Sequence, residues 1–389
     1  MKVLMMNYEL PPLGGGGGTT TKFLAKHLVR SGVQVRILTT AFPGLPSAEV
    51  IDGYEVIRFK TRRKKIHQSD KWEMLLFMIQ GFPQAYRMVQ SWRPDLLHIF
   101  FGYPTGPIGW MVRKRFGLPY VLSLLGADVP GIADQEVGLQ HILLKPVTRI
   151  LWKNAGFVVA NSQGLKEIAE ANVPDCAVEV VDNGIDLEMF HPIDRQQKRS
   201  SDLRLLFVAR FAINKRLDLL LQACKELLDE DVSNWSLRII GDGPLRPTYE
   251  AFLEKEARLQ QQVFLQGWVK IDQLIDYYHS ADVFVLTSDY EGMSSVVLQA
   301  MACGLPIIST RVQGSEGMII DGENGFSIPY RDVPALKAAI KQFIYHPDWL
   351  EPFGKQSIKL VERYDWKYAA ARYLGYYQRT LQAFAKARR

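Results

Sequence analysis

Short apolar segments alternate with helical segments along almost the whole chain. In the first half, runs rich in Val, Ile and Leu fit buried strands: KVLMM, VQVRILT, YEVIRF, DLLHIFF, PYVLSLL, GFVVAN and AVEVV. Between many of them, apolar residues recur at helical spacing, as at Phe23, Leu24 and Leu28. Buried strands that alternate with helices are typical of a parallel sheet covered on both faces, so we predict an α/β fold.

A polar segment divides this pattern into two halves. Residues 191–202 contain a proline and several charges but no apolar periodicity, which predicts a linker. The alternation then resumes with LRLLFVAR, LRIIGDG, VFLQGW, VFVLTS, LPIIST and GFSIP. We therefore predict two doubly wound domains, 1–190 and 203–365, facing each other across a cleft. We expect the helical residues 366–389 to close the chain and to pack back on the first domain.

Composition excludes several classes of protein. Hydrophobic residues make up 47% and charged residues 23%, as in globular rather than disordered chains. The three cysteines lack the spacing of a disulfide framework or a zinc site, which favours a cytoplasmic protein. No segment reaches the ~18 uninterrupted apolar residues of a membrane span. The net charge of +6 favours anionic partners without identifying them.

A run of glycines, Gly14 to Gly18, follows the first predicted strand. It leads into a helical segment whose free amide groups favour an anion. A merely flexible turn is the alternative, but the run exceeds what a turn requires and each glycine costs chain entropy. We therefore favour a phosphate-binding loop. The run is not a GxGxxG fingerprint with an acidic partner, so a dinucleotide-binding fold gains little support.

Two cations follow the first strand of the second half. Arg210 comes directly after the strand, and Lys215 stands at the start of the next helix. Ligands of open α/β sheets lie beyond the carboxyl ends of the strands. The planar fork of Arg and the compact charge of Lys together suit a departing diphosphate. Outside such a loop, basic residues are usually only solvated.

The stretch DYEGMSSVVLQAMA combines a turn and a helix after the strand VFVLTS. We place Glu291 before the helix, its first free amides at residues 293–295, and Gln299 about two turns further on. Taken alone, Glu291 fits a charge at a helix dipole and Gln299 an ordinary helical residue. Together with the glycine run, the two cations and GDGP (241–244), they favour a ligand site.

Several stretches together resemble family 4 of the retaining glycosyltransferases, which have the GT-B fold of two Rossmann-like domains. They are VDNGIDLEMFHP, VARFAINKRLDLLLQA, IIGDGP, VFLQGWV and DYEGMSSVVLQAMACGLPIIST. The resemblance is densest over 180–330 and extends over most of the chain. It implies transfer of a sugar from a nucleotide diphosphate sugar, with retained configuration, no cofactor and no obligatory metal. A UDP- or GDP-sugar is preferred over an ADP-sugar, and the implied acceptor is a polysaccharide, a lipid-linked saccharide or a glycolipid.

The resemblance also implies residue roles. Glu291 matches the first residue of the E-x7-E motif and is implied to contact hydroxyl groups of the donor sugar. Arg210 and Lys215 match the pair that neutralises the departing diphosphate, and such stabilisation is typically the largest catalytic term. The implied donor-binding residues are Gly15, Gly16, Gly241, Val269, Gly292, Met293, Ser294, Ser295 and Gln299.

Two positions depart from the family pattern. Gln299 stands where the second Glu of the motif should ligate the ribose, so one hydrogen bond must reverse direction at a cost of about 1 kcal/mol. Leu125 stands where many relatives have His, and we assign no general base. Asp128 and His98 are candidates for the sugar and acceptor side, and His98 fits a satisfied strand-end histidine equally well.

Five basic residues precede an apolar, aromatic stretch that includes Trp72, Phe77 and Phe82. Such a segment fits either contact with the anionic inner face of a membrane or a solvated loop followed by a core helix. The stacking aromatics of a nucleic-acid module are not evident, and we expect no nucleic-acid partner. The basic residues are Lys60, Arg62, Arg63, Lys64 and Lys65.

Other functions remain open at this point. A noncatalytic scaffold or sensor that binds sugar nucleotides fits the departures at Gln299 and Leu125, but it would not need Arg210, Lys215 and Glu291. A glycoside hydrolase needs two carboxylates beside the scissile bond, and the motif partner of Glu291 is an amide. An epimerase of GT-B fold is also formally possible.

Overall fold

The computed structural model describes residues 1–66, 69–126, 128–129, 134–193, 202–312, 315 and 317–387, without the side chains of 134–143. The chain divides into two compact units, Met1–Gly184 with Trp366–Arg389, and Ile185–Asp365. The boundary thus falls earlier than the predicted residue 190. The predicted linker 191–202 lies within the range of the second unit, and its residues 194–201 are outside the described residues.

The first unit is built on a mostly parallel sheet. Its strands are β1 Lys2–Met6, β2 Gln34–Thr40, β3 Ala48–Ile51, β4 Tyr54–Phe59, β5 Leu96–Phe100, β6 Tyr120–Leu124, β7 Phe157–Ala160 and β8 Val178–Val180. Its helices up to this point of the chain are α1 Gly16–Arg30, α2 Lys71–Trp92, α3 Thr105–Phe116, α4 Asp134–Lys153 and α5 Gln163–Asn172. Among the described residues the strand order is β3-β4-β2-β1-β5-β6-β7-β8, and only β3 pairs antiparallel.

The sequence predicted every strand of this sheet except β3. Strands β5 and β6 are buried at every position, as expected for parallel strands with covered faces, and therefore appear as continuous apolar runs. Strand β3 lies at the edge of the sheet and alternates exposed with half-buried residues, and its Val50 is 73% exposed. Such a strand has no apolar run to reveal it.

The second unit is built on a parallel sheet. Its strands are β9 Leu203–Val208, β10 Trp235–Ile240, β11 Val263–Gln266, β12 Val283–Leu286, β13 Ile307–Thr310 and β14 Gly325–Ile328. Its helices are α6 Leu217–Asp229, α7 Arg246–Lys255, α8 Ala257–Gln260, α9 Ile271–Ser280, α10 Ser295–Ala302, α11 Val333–Tyr345 and α12 Leu350–Val361. Within the described residues the strand order is β11-β10-β9-β12-β13-β14, all parallel. The order reverses between β9 and β12, the point at which such sheets bind ligands.

The last helix, α13 (Trp366–Lys386), belongs to the first unit. The Trp366 ring stacks on Phe23 of α1 with centroids 6.3 Å apart. Of the helices in the described part of the chain, none combines the length and apolar character needed to cross a bilayer.

Candidate donor-binding site

The loop after β9 is tied to the turn after β12. These strands are neighbours in the sheet, so their carboxyl ends lie side by side. The Thr287 hydroxyl donates to the carbonyl oxygens of Lys215 and Arg216 at 3.0 and 2.9 Å. The Asp289 amide donates to the carbonyl oxygen of Asn214 at 2.7 Å. The two segments that carry the predicted catalytic residues are therefore joined by hydrogen bonds to the backbone.

Lys215 and Glu291 form an ion pair across this junction. The Lys215 Nζ lies 2.6 Å from Oε1 of Glu291, and the Ser288 hydroxyl donates to the same oxygen at 2.7 Å. The two side chains are only 20% and 11% exposed. The structure thus brings together two of the three predicted catalytic residues, which are 76 positions apart in the sequence.

Arg210 lies at the same carboxyl end of the sheet. Its side chain is exposed, and no described residue pairs with its guanidinium group through a hydrogen bond or an ion pair. Since Arg presents a planar fork of donors, Arg210 is suited to an oxyanion.

Helix α10 begins later than the sequence suggested. Its first residue is Ser295, with Ser294 as the N-cap, so Gly292 and Met293 belong to the preceding turn. Ser294 is only 2% exposed, yet its hydroxyl makes no cap hydrogen bond and has no partner among the described residues. The amino end of α10 therefore combines free amide groups with an unused buried hydroxyl, both suited to an anion.

Gly241 sets the distance between two loops of the site. It follows β10 with a φ of 141°, and a Cβ there would lie 1.9 Å from the carbonyl oxygen of Ala209, the residue before Arg210. Its amide group contacts the carbonyl oxygens of Gln266 and Gly267 at 3.4 and 3.3 Å. Only glycine permits this close approach. Val269, the other predicted residue on this side, follows β11 and is half-buried against the core of the unit.

Gln299 is buried within α10 and oriented by a tyrosine. It is 5% exposed, and its Oε1 accepts a hydrogen bond of 2.9 Å from the hydroxyl of Tyr278. Burial raises the pKa of Tyr278 well above its ordinary value, so this phenol stays protonated as a donor. No described residue accepts from the Nε2 group of Gln299, which is therefore free to donate.

Two arginines with left-handed backbone converge on Asp289. Arg216 and Arg331 have φ values of 50° and 56°. A guanidinium nitrogen of Arg331 lies 2.8 Å, and one of Arg216 3.6 Å, from Oδ2 of Asp289. Arg216 also donates to Asp218 at 2.7 Å. These contacts, the Asp289 clamp, hold the loop with Lys215 beside the turn with Glu291. No sequence pattern predicted the clamp, although Arg216 directly follows Lys215.

The arrangement suits an anionic, hydroxylated ligand. Arg210, Lys215 and the amino end of α10 offer positive potential, and the Glu291 carboxylate can accept from hydroxyl groups. Arg210 and Lys215 follow β9, and Glu291 and α10 follow β12, its neighbour in the sheet. Among the described residues, no cluster of three or more His, Cys, Asp or Glu side chains could hold a metal ion.

Comparison with known proteins assigns the chain to a family. The model described as Glycosyltransferase Family 4 matches residues 14–189, and the model described as Glycosyl transferases group 1 matches residues 202–346. The chain belongs to glycosyltransferase family 4. This confirms the resemblance found in the sequence, and the GT-B fold is the one that the structure shows.

A relative in sequence and two solved structures of similar fold cover nearly the whole length of this glycosyltransferase. A D-inositol 3-phosphate glycosyltransferase from Catenulispora acidiphila is 26% identical over 96% of this chain and 92% of its own. The sucrose-phosphate synthase structure from Thermosynechococcus elongatus aligns with a TM-score of 0.84 at 21% identity, covering 98% and 99% of the two chains. Anabaena HepE, solved with UDP and glucose, aligns with a TM-score of 0.72 at 17% identity, covering 96% and 98%.

In the first unit of the glycosyltransferase, the glycine run already holds a carboxylate. Helix α1 begins at Gly16, so Gly15 is its N-cap and only the first part of the run is a loop. The Gly15 amide donates to Oε2 of Glu9 at 3.2 Å. Gly14 has a φ of 85°, and a Cβ there would lie 2.4 Å from the carboxyl carbon of Glu9. The sequence predicted an anion at this loop but not that Glu9 supplies one.

Asp128 fixes the turn after β6. Its carboxylate accepts from the backbone amides of Gly102, Leu125 and Gly126 at 2.8, 3.0 and 3.0 Å. Burial raises the pKa of Asp128, while the three amide donors act in the opposite direction. The carboxylate therefore stabilises the backbone around Leu125. The three hydrogen bonds engage both carboxylate oxygens, which were predicted to line the acceptor side.

His98 lies in the core, and its acceptor-side prediction is not supported. It stands in the middle of β5 with no exposed surface. Its Nδ1 lies 2.6 Å from the Tyr377 hydroxyl and its Nε2 lies 2.8 Å from the Ser123 hydroxyl. Burial lowers the pKa of His98 to about 3. A neutral ring with both nitrogens engaged joins α13 to the sheet and cannot reach a ligand.

Proposed function

We propose that this glycosyltransferase transfers a sugar, with retention of anomeric configuration, from a nucleotide diphosphate sugar to a saccharide or lipid-linked acceptor. One observation carries the proposal: Arg210, which has no partner among the described residues, and the Lys215–Glu291 pair stand on loops that follow neighbouring strands. Cations there can neutralise a departing diphosphate, and a carboxylate beside them can bind the sugar that is transferred.

The role of each residue follows from its chemistry. Arg210 donates to phosphate oxygens, and the charge that develops on the leaving group strengthens this contact in the transition state. Lys215 supplies a second positive charge, and its contact with Glu291 orients that carboxylate. The Ser294 hydroxyl and the first amides of α10 add neutral donors for the diphosphate. With these donors, charge neutralisation does not depend on a metal ion, and we propose a metal-independent transfer.

For the donor, we propose a UDP- or GDP-sugar in preference to an ADP-sugar. Structures of the same fold contain either nucleotide: HepE was solved with UDP and glucose, and starch synthase IV from Arabidopsis thaliana with ADP and acarbose. The preference therefore rests on the resemblance found in the sequence. The Nε2 of Gln299 would donate to a ribose oxygen, with its Oε1 held by Tyr278.

For the acceptor, we propose a polysaccharide, a lipid-linked saccharide or a glycolipid, in the assembly of the cell envelope. The relative from Catenulispora acidiphila is named for D-inositol 3-phosphate, a small polar molecule. The lipid-linked class of acceptor is therefore our own inference. We propose a cytoplasmic enzyme that works at the inner face of the membrane.

A noncatalytic scaffold is the second candidate, motivated by Gln299 and Leu125. The Lys215–Glu291 pair argues against a scaffold. Partial burial of two charged groups costs free energy, and a scaffold does not need this pair. A scaffold would bind the nucleotide without turning over its sugar.

The test is calorimetric titration with UDP-, GDP- and ADP-glucose in EDTA, followed by turnover of whichever donor binds. We expect micromolar affinity for one nucleotide, slow hydrolysis of its sugar and, with an acceptor, a product of unchanged anomeric configuration by NMR. Binding without turnover, with saccharide acceptors present, would favour the scaffold. An inverted product would refute the retaining mechanism.

A further inference from the structure

Helix α2 presents three large apolar side chains to solvent near its amino end. Trp72 is 73%, Leu75 38% and Ile79 60% exposed. Their spacing of three and four residues places them on one face of the helix. The opposite face is buried in the first unit through Phe77, Gly81, Ala85 and Met88. The helix therefore does not need Trp72, Leu75 and Ile79, here called the α2 stripe, for its own packing.

The basic segment is fastened to the same end of α2. The buried carboxylate of Glu73 accepts from the amide of Lys64 at 2.9 Å and from the amide of Asp70 at 3.1 Å. The Asp70 carboxylate in turn caps the helix by accepting from the Glu73 amide at 2.8 Å. Lys64 is thus held beside the first turn of α2, where the α2 stripe begins, and the other basic residues are its near neighbours in the sequence.

Arg63 differs from the other four basic residues. It is 5% exposed, and its guanidinium group donates to the carbonyl oxygens of Tyr8, Lys65 and Ile66 at 3.2, 3.0 and 3.0 Å. Arg63 therefore stabilises the backbone of the loop and is not available to a partner. This corrects the prediction that Arg63 contributes to membrane contact. The other four, Lys60, Arg62, Lys64 and Lys65, are exposed.

We propose that the α2 stripe and these four cations form one docking surface for an anionic lipid bilayer. The cations complement lipid phosphates, and Trp and aliphatic side chains partition into the boundary between headgroups and acyl chains. The surface has both elements that interfacial binding requires, and charge complementarity singles out an anionic membrane from an apolar partner. The proposal rests on the proposed function only for its purpose, which is to bring the enzyme to a membrane acceptor.

The experiment is cosedimentation of the full chain with vesicles of phosphatidylcholine alone or mixed in equal parts with phosphatidylglycerol. We expect binding to the mixed vesicles that weakens as NaCl is raised, and little binding to phosphatidylcholine. The variant Trp72→Ser/Leu75→Ser/Ile79→Ser should bind at least tenfold more weakly. The variant Lys60→Gln/Arg62→Gln/Lys64→Gln/Lys65→Gln should lose up to about fivefold per charge.

A matched control removes the same charge elsewhere. The variant Lys255→Gln/Lys359→Gln/Arg372→Gln/Lys386→Gln neutralises four exposed cations that are not part of the docking surface and should bind as the wild type does. Arg63 is left unchanged in both charge variants, because its loss would disturb the loop itself. Circular dichroism and nucleotide titration verify folding, and they separate this proposal from the proposed function, which concerns donor turnover.

Three outcomes would overturn the proposal. The first is a wild-type protein that ignores the mixed vesicles, and the second is a charge variant that binds no worse than its control. The third is a wild-type dimer that the stripe variant converts to a monomer without a change in lipid binding, since the α2 stripe would then serve a second copy of the chain.

Discussion

The ammonium group of Lys215 lies 2.6 Å from Oε1 of Glu291, so the cation assigned to the diphosphate directly contacts the carboxylate assigned to the sugar. The donor bond to be broken joins these two parts of the substrate. A contact between their protein partners therefore couples the position of the leaving group to that of the sugar.

Removal of either cation should impair transfer more than folding. For Arg210→Ala and Lys215→Ala we expect kcat to fall by at least about 100-fold, because each loses a donor to the leaving group. Arg210 is exposed and without a described partner, so its replacement should change the free energy of unfolding by less than about 0.5 kcal/mol. Donor turnover and urea unfolding measure the two effects. The control Lys255→Ala, on the surface of α7, should change neither, and normal transfer in both site variants would remove the assigned roles.

Restoring the family carboxylate should tighten nucleotide binding. In Gln299→Glu the new carboxylate can accept from both ribose hydroxyls while Tyr278 still donates to it, which is worth about 1 kcal/mol, or about fivefold in Kd. Calorimetry with UDP or GDP measures the change. The exposed Gln273→Glu introduces the same charge on α9 and should leave affinity unchanged. Weaker binding of Gln299→Glu would show that the amide is itself the adapted group.

A single methyl group at position 241 should disrupt the second unit locally. In Gly241→Ala the Cβ would meet the Ala209 carbonyl oxygen at 1.9 Å, so the loop with Arg210 must move. We expect a loss of more than about 2 kcal/mol of stability together with weakened donor binding. Gly322→Ala is the matched control, since its φ of 76° is also unfavourable for alanine but its Cβ would meet nothing within 4 Å. Equal effects in both variants would mean that backbone strain, not the contact with Ala209, causes the loss of stability.

Arg216→Gly should separate stability from activity. Glycine adopts the left-handed backbone conformation of this position without strain, which should stabilise the protein by about 1 kcal/mol. This gain offsets the lost contacts with Asp218 and Asp289. We expect a melting temperature close to that of the wild type, but kcat/KM about tenfold lower because the Asp289 clamp no longer fixes the loop with Lys215. Arg93→Gly, at the end of α2 with a φ of 52°, should gain stability with unchanged activity. If Arg216→Gly transfers sugar normally, the clamp has no role in positioning.

Acid should destabilise the first unit through His98. Its pKa is about 3 in the folded protein, whereas in the unfolded chain it is near the ordinary 6.5. Below pH 6.5 the unfolded state therefore takes up a proton that the folded state does not, and the free energy of unfolding should fall by about 2 kcal/mol between pH 7 and pH 5. His98→Asn should be less stable at pH 7 but lack this part of the pH dependence. Parallel curves for the two proteins in urea would contradict the argument.

The sequence predicted the strands well because buried parallel strands are continuous apolar runs, and it placed the predicted donor-binding residues at the ends of those strands. Edge strand β3 was not predicted because half of its residues face solvent.

The partners of the site residues were not predicted either. No periodicity indicates that Glu9 reaches the Gly15 amide, that Tyr278 orients Gln299, or that Arg331 meets Asp289 across 42 residues. Such contacts are determined by how loops from different strands pack, which the sequence pattern does not encode.

Glu9 gives the glycine loop an internal competitor. Its carboxylate occupies the Gly15 amide, the first free donor of α1. A substrate phosphate could use that donor only by exchange with Glu9. Its affinity for the loop would then measure the difference between two anions, one of which is tethered and present at a fixed effective concentration.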